Sequence, residues 1–251
     1  MPKPVIEFME VSHIFPGGIR GLDKVSFQVA PGEFIILCGK NGSGKTTVLR
    51  HMNALSLPTE GEVLVSGVST KKNPAHARQV VGMVFADVRN QIVGETVADD
   101  VAFGPENLGL PEQEINHRVT KSLEAVSMGH MAERRPYLLS GGEKQRVAVA
   151  GVLAMDSRVI VFDEPFSNLD YPGVQQVLIQ MVKLHKAGKT IIVATHDIEK
   201  VAAHASRVLV MDQGRLVRDG ALDQVVHDIE QYGVRRPCAT LLGREVNSWL
   251  A

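Results

Sequence analysis

Apolar and polar residues alternate near the start of the chain and then give way to a continuous apolar run. Val5–Val11 and Val25–Val29 alternate, which is the pattern of half-buried strands. Phe34–Cys38 is apolar throughout and rich in β-formers, so it predicts a fully buried strand. Pro16-Gly17-Gly18 and Pro31-Gly32 are turn sequences between these runs. The chain therefore opens with β-structure that leads into a buried strand.

The buried strand runs directly into a glycine-rich segment, named here the phosphate loop (residues 39–46). Its residues are Gly39, Lys40, Asn41, Gly42, Ser43, Gly44, Lys45 and Thr46. Helical spacing follows at Val48, Leu49, Met52 and Leu55. A strand, a Gly-x-x-x-x-Gly-Lys-[Ser/Thr] loop and a helix predict a triphosphate site, because main-chain N–H groups and the helix N-terminus surround an anion. We expect Lys45 to contact the β- and γ-phosphates, Thr46 to bind Mg²⁺, and Thr47 to complete the nucleotide site. An ordinary glycine-rich turn is the alternative, which the flanking elements disfavour.

The middle of the chain changes from strand patterns to helical ones. Glu62–Val65 and Val80–Phe85 predict short strands with a polar loop over Ser69–His76. From Asp87 to about Arg135 the apolar spacing is helical, at Val97, Val101, Phe103, Ile115, Val119, Leu123 and Val126. We therefore predict a helical insert, at about residues 87–155, between the strands of an α/β core.

The insert ends in a helix with an unusual start. Ser140 and Glu143 have the spacing of a capping box, and the helix is predicted from about Gly142 to Met155. Taken alone, this pair indicates only a helix cap. Gly141 and Gly142 add a second feature, because two glycines at a helix start leave its N–H groups open to a close ligand.

Two carboxylates follow the next buried strand. Val159–Phe162 is continuously apolar, and Asp163-Glu164 comes directly after it. Ligands of open α/β sheets lie beyond the carboxyl ends of the strands. We expect Asp163 to hold Mg²⁺ through water and Glu164 to accept a proton from an attacking water. Without the phosphate loop, a solvated acidic pair would be the favoured interpretation.

A second strand ends at the same predicted edge. Asp170 is an N-cap candidate for a helix from near Pro172 to His185. Thr190–Ala194 is another buried strand, and His196 follows it. Most single histidines are structural, but the position at the strand end makes His196 a candidate site residue.

The last part of the chain predicts a hairpin and a tail. Val208–Met211 and Leu216–Arg218 are strand-like and flank Gln213-Gly214. Residues 221–251 predict a short helical tail that contains Pro237.

Composition limits the class of protein. The length of 251 residues allows one domain or two, and because α/β domains of this size are often single we expect one domain over 1–251. The 44% of hydrophobic residues is enough for a full core, and the net charge of −1 argues against a general nucleic-acid binder. Two cysteines make a disulfide framework improbable and fit a reducing cytoplasm. Since no signal peptide or membrane-spanning run is evident, we expect any membrane role to act through a partner.

The motifs, in this order, resemble the nucleotide-binding subunits of ABC transporters over nearly the whole chain. Gly39–Thr46 matches Walker A, Leu139–Gln145 the LSGGQ signature with Glu143 in place of Gln, and Phe162–Pro165 Walker B. Ser167–Asp170 matches the D-loop and His196 the switch histidine. Phe15, which as a lone aromatic would more often be core, matches the residue that stacks on adenine. The resemblance implies a P-loop NTPase (RecA-like) α/β core with an antiparallel β subdomain, ATP and Mg²⁺ as cofactors, and catalysis by Glu164, His196 and Lys45. It also implies that Ser140, Gly141, Gly142 and Glu143 act across a dimer interface.

A narrower resemblance points to importers of the energy-coupling factor type and their cobalt and nickel relatives. It rests on Asn90–Val97, Asp100–Gly104 and Ala150–Met155. It implies a second ATPase subunit, identical or a paralogue, a transmembrane coupling protein, and a membrane protein that captures the substrate. The expected location is the cytoplasmic face of the membrane. Short helices of the membrane partner are expected to dock near residues 87–105, with Val88, Ile92, Val93 and Phe103 as contacts; internal packing is an equal alternative for Phe103.

One position departs from the family pattern. The family reads Val-Phe-Gln-Asn-Pro where this chain reads Val84-Phe85-Ala86-Asp87-Val88. The missing Gln would help to coordinate Mg²⁺ and the attacking water, and Gln91 is a possible substitute. Ala86 therefore leaves open a weakly hydrolysing member of an asymmetric ATPase pair. A soluble ABC ATPase outside transport is a separate alternative, which the lack of a long coiled-coil insert or a second cassette and the net charge of −1 disfavour.

Overall fold

A computed structural model describes residues 3–88, 91–167 and 169–250 of the protein. Its strands are β1 (Ile6–Ile14), β2 (Arg20–Val29), β3 (Phe34–Cys38), β4 (Glu60–Val65), β5 (Val68–Ser69), β6 (Val81–Val84), β7 (Val159–Asp163), β8 (Thr190–Thr195), β9 (Arg207–Asp212) and β10 (Arg215–Gly220). Its α-helices are α1 (Lys45–Met52), α2 (Pro74–Val80), α3 (Val97–Asn107), α4 (Glu112–Ala125), α5 (Gly141–Ala154), α6 (Tyr171–Lys186), α7 (Leu222–Val225) and α8 (Cys238–Leu241).

The larger sheet has six strands in the order β10-β9-β3-β8-β7-β6. Neighbouring strands from β9 to β6 are parallel, and only β10 pairs antiparallel with β9. Strands β3, β7 and β8 are buried at every residue, which explains why they are continuous apolar runs rather than alternating ones. This sheet places the carboxyl ends of β3, β8 and β7 side by side.

Each face of the larger sheet is covered by its own apolar cluster. Successive residues of β3 alternate between them: Phe34 and Ile36 belong to one cluster, and Ile35 and Leu37 to the other. The first cluster includes residues of α3 to α6, and the second includes α1 and the smaller sheet. The second sheet is antiparallel, in the order β2-β1-β4-β5, as the alternating start of the chain predicts.

A run of helices, α3 to α5, lies between β6 and β7. Val97 and Val101 of α3 and Leu123 of α4 are buried as their helical spacing predicts. Thr96 and Ser140 both form complete capping boxes at the starts of α3 and α5. The last strands form the predicted hairpin, and the described part of the tail carries the short helices α7 and α8.

Two local predictions are wrong. The polar loop predicted over Ser69–His76 contains the start of α2, where the Asn73 side chain accepts from the His76 N–H and Pro74 occupies the first turn. Helix α1 ends at Met52, so Leu55 is not on its buried face; its side chain is 49% exposed.

One predicted contact with the membrane partner, Val88, is also wrong. Val88 is only 7% exposed and belongs to the apolar core, so it is not available to a partner. Val93 and Phe103 are 64% and 54% exposed, which removes the alternative that Phe103 packs inside the insert. Within the three described ranges, no helix is both long and apolar enough to cross a bilayer.

Candidate nucleotide-binding site

The candidate site lies beyond the carboxyl ends of three neighbouring strands. The phosphate loop connects β3 to α1, Asp163 is the last residue of β7, and His196 directly follows β8. Because β8 lies between β3 and β7, the residues that sequence analysis assigned to one edge do meet there. This is the edge where open α/β sheets bind ligands.

Lys45 is held across the phosphate loop. Its side chain is nearly buried, and Nζ donates to the carbonyl oxygens of Gly39 at 2.8 Å and Lys40 at 3.2 Å. Burial lowers the pKa of Lys45, while the nearby charges of Glu164 and Asp163 oppose that shift. The ammonium group is thus positioned inside the loop that would surround a phosphate chain.

Thr46 and Asp163 form a pair of oxygen donors that fits Mg²⁺. The Thr46 hydroxyl lies 2.9 Å and 3.1 Å from the two carboxylate oxygens of Asp163. Burial raises the pKa of Asp163, and the hydroxyl contact with Thr46 opposes this. Hydroxyl and carboxylate oxygens are the ligand types that Mg²⁺ prefers, with water and substrate phosphates completing its shell.

Glu164 is held by the end of β8. It follows β7 with a left-handed backbone, φ +45°, which is uncommon outside glycine and clusters at functional sites. Its Oε1 accepts from the His196 main-chain N–H at 3.1 Å and lies 3.0 Å from His196 Nδ1. Its Oε2 accepts from the Thr195 hydroxyl at 3.2 Å, and Lys45 Nζ is 3.8 Å from Oε1. Sequence analysis missed Thr195, since a threonine at a strand end carries no distinctive signal.

A cavity of about 310 Å³ joins the phosphate loop to Phe15. The predicted residues that line it are Phe15, Asn41, Gly42, Gly44, Lys45, Thr46, Thr47 and Glu164. Ile19, Arg20 and Gly21 line it as well and were not predicted. They come beside Phe15 because its N–H donates to the Ile19 carbonyl at 2.8 Å and closes the Pro16-Gly17-Gly18 turn.

The remaining phosphate-loop residues contribute in other ways. The Lys40 ammonium pairs with Asp212 at 2.9 Å, so its side chain is engaged by the end of β9. A Cβ at Gly39 would stand 2.2 Å from the Met211 carbonyl oxygen, so only glycine fits there. The Ser43 hydroxyl is buried without a hydrogen-bond partner among the described residues. An unpaired buried hydroxyl in this loop suits a ligand that brings acceptor oxygens.

The signature residues lie outside this cavity in the described chain. Ser140 Oγ accepts from the Glu143 N–H at 3.3 Å, and the Glu143 carboxylate accepts from the Ser140 N–H at 2.7 Å. These bonds lower the pKa of Glu143, with the Ser140 main-chain contact as the largest cause. No atom stands within 4 Å of where a Cβ of Gly141 or Gly142 would be. The start of α5 is therefore open beside Gly141 and Gly142, while the capping box covers the Ser140 and Glu143 N–H groups.

Asp170 has a structural role in the described chain. Its carboxylate accepts from the Gly173 N–H at 3.0 Å and caps α6 as predicted, and it does not line the cavity. Asn168 of the D-loop match lies outside the described residues, as does Asn90 of the importer match.

The possible substitute for the missing glutamine is already engaged. Gln91 Nε2 donates to the Met83 carbonyl at 3.1 Å, and its Oε1 accepts from the Phe85 N–H at 3.1 Å. Both ends of the amide therefore bind the backbone around the end of β6. In this conformation Gln91 does not present a free amide in place of the side chain that Ala86 lacks.

Comparison with known proteins places this site in a family. The family model described as "ABC transporter" matches residues 22–167. The chain is 42% identical to the energy-coupling factor transporter ATP-binding protein EcfA of Methanocaldococcus jannaschii, over 90% of this chain and 82% of the relative. It is 47% identical to the cobalt import ATP-binding protein CbiO of Syntrophus aciditrophicus, over 88% and 80%.

Solved structures similar to this chain belong to the same kind of protein as these relatives. CbiO1 from Clostridium perfringens, part of the transporter complex CbiONQ, superposes with a TM-score of 0.81 at 34% identity, covering 91% of this chain and 92% of that one. A dimeric ATP-binding cassette bound to ADP and Pi superposes with a TM-score of 0.77 at 30% identity, covering 86% and 98%.

The fold and the site together define a P-loop NTPase, as the sequence predicted. The chain belongs to the ABC transporter family and is one of its ATP-binding subunits, an ATPase whose activity is coupled to transport. Within that family it is similar to the energy-coupling factor and cobalt import ATPases, which confirms the narrower resemblance.

Proposed function

We propose that this chain powers an importer of the energy-coupling factor type by hydrolysing ATP in a site that two ATPase subunits share. The observation that carries the proposal is the convergence of Lys45, the Thr46–Asp163 pair and Glu164 at one edge of the sheet. Relatives named for energy-coupling factor transporters and cobalt import support the importer type. A vitamin or a cobalt or nickel ion is the corresponding class of cargo.

The residues divide the work at the triphosphate. Phe15 stacks on adenine, and the main-chain N–H groups of the phosphate loop and Lys45 bind the phosphates. Thr46 and Asp163 would hold Mg²⁺, which would neutralise charge on the triphosphate. Glu164 orients and deprotonates the attacking water, and His196 stabilises the γ-phosphate. A positioned base contributes typically about 10²–10⁴ in rate.

The open start of α5 provides the contact with the second subunit. Gly141 and Gly142 present N–H groups, and with Ser140 they form the positive end of a helix, which attracts the γ-phosphate of an ATP bound to the facing subunit. Asp170, at the start of α6, belongs to the same interface. ATP then joins the pair head to tail and hydrolysis separates it, as the dimeric cassettes among the structural relatives suggest.

The partners follow from the importer type. A transmembrane coupling protein receives the motion of the ATPase pair, and a separate membrane protein captures the substrate. The chain acts at the cytoplasmic face of the membrane as a peripheral subunit. Val93 and Phe103, exposed beside the helical region, are the proposed contacts for the coupling protein.

Two substitutions test the assignment of the site. Glu164→Gln removes the base and leaves the phosphate contacts, so we expect ATP affinity within about threefold of wild type and turnover lowered at least about 10²-fold. Lys45→Ala removes a phosphate contact, and we expect it to lower both ATP affinity and turnover. The measurements are equilibrium nucleotide binding and steady-state phosphate release by the assembled complex. Normal turnover by Glu164→Gln would remove Glu164 from the mechanism.

A second candidate is a weakly hydrolysing subunit in an asymmetric pair. The observation that favours it is the absence of an amide at Ala86 together with the engaged amide of Gln91. Introducing Glu164→Gln into this chain alone distinguishes the two candidates. A large loss of activity supports the main proposal, and an unchanged rate of the complex supports the asymmetric pair.

A further inference from the structure

The turn between β9 and β10 contacts the phosphate loop at several points, although sequence analysis treated it as an ordinary hairpin. Asp212–Arg215 is named here the clamp turn. The Gly214 N–H donates to the Ser43 carbonyl at 3.0 Å. Directly before the turn, the Met211 carbonyl packs on Gly39, and Asp212, the first residue of the turn, pairs with Lys40. Main-chain and side-chain contacts therefore connect this turn and the residue before it to the start and the middle of the loop.

The same turn also contacts the start of β2, which forms the adenine side of the cavity. The Gly214 carbonyl accepts from the Asp23 N–H at 2.9 Å. Arg215 pairs with the Asp23 carboxylate at 2.6 Å, and Arg20, which lines the cavity, pairs with the same carboxylate. These two arginines lower the pKa of Asp23, Arg215 being the larger cause. The clamp turn thus connects the phosphate side of the site to the adenine side.

Close packing at Gly214 leaves no room for a side chain. It has φ +77°, and an added Cβ would stand 2.8 Å from the Gly21 carbonyl oxygen and 3.3 Å from Leu22 Cα. On its other side, a Cβ at Gly44 would stand 3.5 Å from Gly214 Cα. Gly21 in turn supports the aromatic ring of Phe15, because a Cβ there would stand 2.4 Å from a ring carbon. The backbones of Gly44, Gly214 and Gly21 and the ring of Phe15 therefore pack one against the next.

We infer that Gly214 is a positioning residue for ATP binding, which fixes the phosphate loop relative to the Phe15 side of the cavity through the clamp turn. The inference rests on the proposed nucleotide site, because Gly214 is assigned no contact with the nucleotide and acts only through the phosphate loop that would bind it. A displaced Ser43 carbonyl would move the neighbouring N–H groups of the loop away from the phosphates. Such a change weakens substrate and transition state alike, so it raises KM and leaves kcat nearly unchanged.

The chain offers a matched control for the backbone strain of a substitution. Gly67 has φ +78°, almost the same as Gly214, but nothing lies within 4 Å of an added Cβ. Gly214→Ala and Gly67→Ala therefore share the same strain and differ in the contacts of the new methyl group. We expect Gly214→Ala to raise the KM and Kd for ATP about tenfold with kcat within about twofold, and Gly67→Ala to change neither. Equal KM values for the two variants would overturn the inference.

Two further measurements keep the test decisive. If Gly214→Ala does not fold, hydrogen exchange on the wild-type chain replaces it: saturating Mg·ATP should slow exchange of the Gly214 amide, and an unchanged rate would overturn the inference. Lys45→Ala separates the two proposals, because wild-type affinity in that variant refutes the nucleotide site itself, whereas failure of Gly214→Ala alone refutes only the clamp turn.

Discussion

Thr195 provides a sharp test of how Glu164 is positioned. Its hydroxyl donates either to Glu164 Oε2 at 3.2 Å or to the Asp197 carbonyl at 3.3 Å, and it accepts from the Asp197 N–H at 3.1 Å. The side chain is 2% exposed, so water cannot replace these bonds. Thr195→Val removes the hydroxyl and keeps the shape, while Thr195→Ser keeps the hydroxyl.

The expected loss follows from the geometry. A hydrogen bond to a charged group contributes about 1.5–3 kcal/mol. The contact with Glu164 is longer than the usual O–H···O distance and is shared with Asp197, so the lower end of that range applies. About 1.4 kcal/mol is a factor of ten in rate. We therefore expect Thr195→Val to lower kcat about tenfold with little change in KM.

The assay must separate this effect from lost stability. Thr195→Val also removes the acceptor for the Asp197 N–H, which costs about 1 kcal/mol and lowers Tm by about 2–4 °C for a domain of this size. Steady-state ATPase is therefore measured well below Tm. Thr195→Ser should retain kcat, and Thr195→Val should have no additional effect in a Glu164→Gln background. A tenfold loss that persists in that background, or a wild-type kcat for Thr195→Val, would refute the positioning of Glu164 by this hydroxyl.

Three further predictions concern Asp163, His51 and Ala86. Burial raises the pKa of Asp163 above 3.8, so ionisation of its carboxyl group lowers the stability of the nucleotide-free protein as pH rises above 3.8. Asp163→Asn should therefore raise the Tm of the nucleotide-free protein at pH 7.5, but it should lose the part of the ATP-induced Tm increase that depends on Mg²⁺. A lower Tm without nucleotide would contradict this. His51 is fully buried in α1, and this burial lowers its pKa below 6.5, so the free energy of unfolding decreases as pH falls below 6.5; the urea midpoint of His51→Leu should therefore fall less than that of wild type between pH 7.5 and 5.5. Ala86→Gln should raise ATPase activity of the assembled complex if the missing amide limits hydrolysis, whereas an unchanged rate would mean that another group fills the role.

The elements that local patterns specify were predictable. Continuous apolar runs identified β3 and β7, because a strand covered on both faces has no polar side to show. The phosphate loop and the Asp163-Glu164 pair were also found, since the loop directly follows one such strand and the pair stands at the end of another. Their meeting at one edge followed from the parallel order of the sheet rather than from any single motif.

The features that sequence analysis missed depend on contacts between distant segments. Gly214 and Ser43 are joined by one backbone hydrogen bond. Nothing in the sequence around Gln213-Gly214 distinguishes this turn from any other hairpin turn. Thr195 gains its role only because Glu164 approaches it across the sheet. The spacing that assigned Leu55 to α1 failed because the helix ends at Met52, with Asn53 as its cap residue.

The most direct test of the account is the association state of the Glu164→Gln chain with its cognate ATPase subunit, measured by sedimentation velocity with Mg·ATP and with Mg·ADP. We predict a stable pair with ATP and separate chains with ADP. We also predict that adding Gly142→Arg, which obstructs the start of α5, abolishes the pair although ATP still binds. Separate chains at saturating ATP, or a pair that tolerates Gly142→Arg, would contradict the claim that two subunits bind one triphosphate between them.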